Sequence, residues 1–325
     1  IKLLVDENKA LIKSLEKKEK LSWSNFVQKI EESDDKISKA WAPIRHLNSV
    51  MNNPKIRKQY EKCLKLLTSH YGKIGQNYKL FSQYQKFHEE NRKMLNSHQN
   101  KLLSDILKGF RLSGVHLDSK KRKLFRDCQN KLAELEAKFE QNILDSTTAW
   151  ELKLEKKEQL KGMPTNAIET AAEVAKSRNH KGYILTLDQP CYMAVMTYAN
   201  DRALRKKVYL AYASRASNKF PVKGQWDNTK VIEEILNLRQ IVSEILGFAN
   251  FAEYSLATKM AKNPEDVIRF LNDLKKKAKK KSKNEISELK KYAKNKLSIK
   301  ELLPWDLAYI AEKYKEENFG VSQEE

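Results

Sequence analysis

A mostly α-helical protein carrying a small two-stranded β insert is what this sequence predicts, on three observations. Apolar residues recur at three- and four-residue steps through most of the 325 residues, the signature of helices with one buried face. Glycine and proline are scarce, at 9 and 7, too few for a fold built on many turns. The period shortens to two in only two places. Trp150, Leu152 and Leu154 alternate in one, and Tyr183, Leu185 and Leu187 in the other.

Each element has its own reason. Leu4, Leu11 and Leu15 give residues 1–18 an amphipathic helix. Trp23, Phe26, Val27, Ile30, Ile37 and Trp41 mark a second, expected to break at Pro43. Asn53-Pro54 opens a third, with Asn as cap, Pro at the first helical position, and Ile56, Tyr60, Leu64 and Leu67 facing inward. Helices fit 73–95 and 97–112, and Gly114 closes the latter. The longest runs over 119–149. Phe125, Cys128, Leu132, Leu135, Phe139 and Asn142 give it heptad-like spacing, which calls for an antiparallel partner within the chain. Met163-Pro164 starts a helix across 165–178 between the two strands.

Beyond the strands, Pro190 restarts helix and Asp201 caps a longer one. The segment SNKFPVKGQWDN (217–228) is a loop. Val231, Ile235, Leu238, Val242 and Ile245 form the next stripe, with Asn228 placed to cap it and Gly247 to end it in a left-handed turn. Phe248, Phe251 and Tyr254 place three aromatics in a short helix. Asn263-Pro264 opens one reaching Leu297, and Asp306 caps the last after a turn at Pro304-Trp305. Three regions follow: 1–149 helical, 150–188 a helix with flanking strands, and 189–325 helical again.

Charged residues make up 32 per cent of the chain and aromatics 9 per cent, the balance of a folded protein rather than a disordered one. No apolar run approaches the roughly 20 residues that span a bilayer. The opening IKLLVDENKALIKSLEKKEK is too charged for a signal peptide, and its first residue is Ile rather than Met, as in a trimmed chain. Cys63, Cys128 and Cys191 are far apart and odd in number, which reads as buried small side chains in a reducing cytoplasm. The net charge is +21. A nucleic-acid or anionic-membrane partner is one explanation. The plainer one is lysine as a general surface residue, since lysines are spread over nearly every helix.

The chemistry-bearing motifs are absent or incomplete. His88-Glu89 begins like the His-Glu-x-x-His of zinc peptidases, but Arg92 stands where the second imidazole must be. A guanidinium has no free lone pair for a metal. His46, His70, His98, His116 and His180 lie in no ligand spacing. There is no phosphate-binding glycine loop and no nucleophile elbow. Asp34-Asp35 and Glu233-Glu234 read as solvated helix surface. The lysine run Lys275–Lys283 lacks the interleaved aromatics that stack bases, and reads as a solvated helix face.

Several words of this sequence carry a further signal. HLNSVMNNPKIRKQY (46–60), GYILTLDQPCYMAVMTYANDRALRKKVYLAYASRAS (182–217) and QWDNTKVIEEILNLRQ (225–240) are three. ILGFANFAEYSLATKMAKNPEDVIRFLNDL (245–274) and LLPWDLAYIAEKYK (302–315) are two more. Together and in this order they resemble the oligopeptidase A group of the thimet-type (M3) zinc metallopeptidases, across the chain from Leu21 onward. The resemblance implies a mostly α-helical, two-lobed peptidase with a deep channel that admits short unfolded peptides. It implies one zinc, held by the two His of His-Glu-x-x-His and a later Glu, with the motif's own Glu as general base. Those positions fall beyond Glu325, so no residue here inherits a catalytic or metal-binding role, and the substrate-binding residues are unknown. The expectation is a channel-wall lobe that binds no zinc itself, partnered by short peptides and by a C-terminal catalytic lobe of the same polypeptide, in the cytoplasm, with no membrane and no nucleic-acid partner. The rivals are a basic helical nucleic-acid-binding module and a non-catalytic scaffold of peptidase shape.

Overall fold

Helix caps and apolar stripes account for nearly every element of the computed structural model, which describes residues 1–224 and 226–322. The observed class is mostly α with one two-stranded sheet, as expected. The chain divides into two compact units. One comprises Ile1–Lys138 with Ile232–Pro264, and the other Phe139–Val231 with Glu265–Glu325.

The first unit is helical throughout. It holds α1 (Lys2–Leu15), α2 (Gln28–Val50), α3 (Pro54–Gly75), α4 (Tyr78–Asn91) and α5 (Ser97–Leu112). It also takes the first part of α6 (Ser119–Ala149). On α1 the most deeply buried positions are Val5, Asn8, Ile12 and Leu15, one residue on from the expected Leu4 and Leu11, which are half-buried. A short π-helical turn, Trp23–Val27, leads into α2, capped by Ser22 through the Asn25 amide N–H. Pro43 does not break α2, which continues to Val50. Its ring is exposed, so water can take up the hydrogen bond it forfeits. Packing holds the flanking turns, with Trp41 stacked on Tyr60 of α3 at 5.2 Å between ring centroids.

Asn53 caps α3 by accepting from the N–H groups of Lys55 and Ile56. The expected 73–95 helix is split, because α3 continues to Gly75 and Asn77 caps a new start at Tyr78, accepting from the Leu80 N–H. Phe26, Leu80, Tyr84, Phe87, Leu103 and Phe110 pack into the core between α2, α4 and α5. Gly114, at φ +79°, turns the chain into α6.

The second unit contains the sheet. Strand β1 (Glu151–Leu154) pairs antiparallel with β2 (Tyr183–Thr186), with Leu152 opposite Leu185. They enclose α7 (Thr165–Ser177) in sequence, and α7 packs on β2. Next come α8 (Gln189–Tyr198) and α9 (Arg202–Ala213), the latter capped by Asp201. Trp150, Leu160, Leu185, Leu187, Val195 and Val208 form the centre of this core. Fully burying one such side chain is worth about 1.5–3 kcal/mol.

The chain then runs through the 217–228 loop, where Gln225 lies outside the described residues, into α10 (Thr229–Ile245). The Asn228 side-chain amide, placed by the sequence to cap that helix, bonds instead to α6. Its Oδ1 accepts from Asn142 Nδ2 at 2.7 Å and its Nδ2 donates to the Phe139 carbonyl, while Asp227 takes the Thr229 N–H. Within the first unit, Lys131 and Glu136 of α6 pair with Glu234 and Arg239 of α10, so α10 supplies ion-pair partners along α6. Gly247 ends α10 at φ +85°, and α11 (Phe251–Leu256) follows. The chain closes with α12 (Pro264–Lys296) and α13 (Leu307–Phe319).

Candidate functional site

The side chains that looked chemically capable in the sequence do not converge. Glu89 and Arg92 are exposed on the surface of α4 and just beyond it. His88 Nε2 lies 3.1 Å from Asn100 Oδ1. His46, His98 and His116 are exposed. His70 is buried and donates from Nε2 to Asn8 Oδ1 at 3.0 Å. Among the described residues no three His, Cys, Asp or Glu side chains come together in a way that could hold a metal ion. The three cysteines are free thiols, with Cys128 buried and the other two half-buried. Burial pushes the Cys128 and Cys191 thiols up, keeping both protonated and poor as nucleophiles.

One concave site stands out in the second unit. A cavity of about 830 Å³ opens between α7, β2 and α8. Met163, Ala167, Val174 and Ile184 make it largely apolar, and Met193 lies half exposed at its rim. Three of its polar residues, Thr186, Asp188 and Cys191, are engaged with one another. Thr186 Oγ1 donates to Asp188 Oδ2 at 2.9 Å, and the Thr186 N–H reaches Cys191 Sγ at 3.4 Å. The site offers one exposed carboxylate, hydroxyls and a protonated thiol. That is equipment for binding an apolar group, with no acid and base paired across a reacting position.

Two buried polar networks were not legible beforehand. In the second unit, Asp306 is fully buried and accepts from Arg202 Nη2 at 2.7 Å, Arg205 Nη2 at 3.0 Å and the Leu303 N–H at 3.1 Å. It was expected to cap α13, but its side chain makes no such bond, because these charged donors outcompete a lone amide. Arg205 is itself fully buried. It donates further to the carbonyls of Ala199, Asn200 and Trp305, and lies 4.0 Å over the Tyr309 ring. Burial alone would push the Asp306 carboxyl up, but the two guanidinium groups outweigh it and hold the group below the usual carboxylate range.

In the first unit, Asn8 of α1 donates to Ser33 Oγ and Asp34 Oδ1 of α2 and accepts from His70 of α3. Burial, with Glu31 nearby, raises the Asp34 carboxyl to about 6. The hint in the sequence was Asn8 itself, a polar residue in step with Val5, Ile12 and Leu15. Both networks tie helices together, and neither faces the cavity.

Comparison with known proteins decides the family. The description "Peptidase family M3" matches residues 195–325, and "Neurolysin/Thimet oligopeptidase, N-terminal domain" matches residues 1–122. Oligopeptidase A of Salmonella typhimurium is 40% identical over 305 residues, which is 94% of this chain and 45% of that protein. Oligopeptidase A of Haemophilus influenzae is 38% identical over 328 residues, covering 100% of this chain and 48% of the relative.

The chain belongs to peptidase family M3.

A probable cytosolic oligopeptidase A of Arabidopsis thaliana is a further M3 relative, 32% identical over 335 residues and covered to 47% of its length. The chain therefore spans about half the length of the curated relatives it matches. Zinc, which the family implies, finds no fitting donor set among the described residues of this M3 chain. The nearest candidate, His88, faces an amide oxygen, and a guanidinium-bearing residue stands one turn on.

Proposed function

We propose that this chain is the N-terminal portion of a zinc-dependent M3 oligopeptidase acting on short peptides, and that it forms one wall of the channel that admits them. The observation that carries this reading is the pattern of coverage. Relatives named oligopeptidase A match 94–100% of this chain while the chain accounts for only 45–48% of them. The catalytic zinc and its ligands then belong to sequence that this chain does not include. A mostly helical chain with two packed cores suits a wall that sorts peptides by size. A cytoplasmic setting fits the three free cysteines and the cytosolic plant relative. Among the described residues, no helix is long and apolar enough to cross a membrane.

The test is an assay of the purified 325-residue chain with fluorogenic peptides, with and without a chelator. No hydrolysis is expected in either condition. Cleavage that the chelator abolishes would refute the proposal, because it would place a working metal site in this chain.

A further inference from the structure

The longest helix of the second unit outruns its cover. At about 1.5 Å per residue, the 33 residues of α12 extend about 50 Å and the 13 residues of α13 about 20 Å. Near its C-terminal end α12 is properly covered. Leu289, Tyr292 and Ala293 pack with Tyr309 and Ile310 of α13, and Tyr292 Oη donates to Glu317 Oε2 at 2.6 Å. Leu271 and Leu274 lie on the same face as Leu289 and Tyr292, about five turns toward the N-terminus. Val267, Phe270 and Ala278 join them in one arc.

Here, among the described residues, Val267 is half-buried and the rest of the stripe lies open. Phe270 is 62% exposed, Leu271 56% and Leu274 47%, with Ile268 at the margin at 58%. The opposite face is polar, with Arg269 paired to Asp266 and Lys277 to Asp273. This is the pattern of a helix with a buried face, on a stretch where no buried face exists. Immediately after it, Lys275, Lys276, Lys279, Lys280 and Lys283 make no ion pair among the described residues.

We infer that the Val267–Leu274 face of α12 is the seat of the polypeptide that follows in the longer M3 relatives, their C-terminal half. The inference rests on the reading of this chain as the N-terminal portion of such a peptidase. The relatives supply the occupant, since each carries roughly as much sequence again as this chain matches. The chemistry of the seat describes the facing surface: apolar side chains against Phe270, Leu271 and Leu274, and acidic ones against the unpaired lysines, which a second copy of this basic chain would present less well.

The experiment compares maleimide labelling of Leu274→Cys in two proteins. One is the 325-residue chain. The other is the same chain continued in frame by the C-terminal half of Salmonella oligopeptidase A. Buried Cys128 reports folding in both, since it stays unlabelled only while the first unit is intact. Labelling of the introduced cysteine is expected to slow at least ten-fold in the extended protein. An unchanged rate with Cys128 still protected overturns the inference. So does protection in the short chain that grows with its concentration, which would assign the face to a second copy. If Cys128 labels in the extended protein, co-elution of the two halves from co-expressing cells decides. Loss of co-elution in Leu271→Asp/Leu274→Asp supports the seat, and either persistence in that variant or no co-elution at all overturns it. Peptide cleavage by the extended protein separates the two readings. A protein that cleaves with position 274 unprotected sinks the seat alone, and one that is protected but inert sinks the enzymatic reading alone.

Discussion

Replacing Asp306 by alanine should be among the most damaging single changes in the second unit, and the damage should greatly exceed that of removing its more visible partner, Arg202. Asp306 has no solvent exposure and balances Arg205, whose side chain is 1% exposed. Without the carboxylate, the Arg205 guanidinium keeps its three carbonyl acceptors but has no counter-charge, and the Leu303 N–H loses its acceptor. Breaking a buried pair in this way costs about 3–5 kcal/mol. Arg202 is different. Its side chain is 42% exposed, water can replace it, and Asp306 keeps Arg205. Arg202→Ala should cost about 1 kcal/mol or less.

The assay is urea denaturation followed by far-UV circular dichroism, with the two variants compared at unchanged slope. The pH dependence follows from the depressed carboxyl. Its contribution is fully present above the unfolded value, near 3.8, and is lost as pH falls through the lower folded value. The gap between Asp306→Ala and the unmodified chain should hold from pH 5 to 8 and narrow only below pH 4. Equal midpoints for Asp306→Ala and Arg202→Ala would refute the reasoning, because they would mean the buried charge is solvated after all.

Asp34 runs the opposite way. Its raised carboxyl means that folding is penalised above pH 6 and relieved as pH falls toward 3.8, so Asp34→Asn should stabilise the chain by about 1–2 kcal/mol at pH 8 and by almost nothing at pH 4, read from thermal melts at both values. Gly162 sits at φ +95°, and a Cβ there would strike the Tyr198 carbonyl oxygen, so Gly162→Ala should cost about 2 kcal/mol or more by the same denaturation measurement. A titration with single-stranded nucleic acid at two salt concentrations should give weak binding with a shallow salt slope, despite the net charge of +21; a steep slope would revive the rival reading of a basic nucleic-acid-binding module.

The α-helical class, the two strands, and the starts of α3, α9 and α12 could be read from the chain because each rests on neighbours in sequence. The Asn53 cap, for instance, reaches only as far as Ile56, and the alternation in Tyr183–Leu187 declares a strand without reference to its partner. The misreadings have a common cause. Pro43 was expected to end a helix, but the stacking of Trp41 on Tyr60 of α3 carries the helix through it. Asp306 looked like a cap by its place before α13, until two arginines about a hundred residues earlier in the chain claimed its oxygens.

Sequence by itself determined the family, because the long matched words and the share of the relatives they span are properties of lettering alone. It also determined which residues could not be metal ligands, since Arg92 cannot do the work of an imidazole in any fold. Only the tertiary structure decided where charge is buried, which carboxyl is raised and which is held down, and where an apolar stripe on α12 runs past the helix that covers it. These depend on desolvation and on contacts between residues far apart in the chain, and no local pattern encodes either.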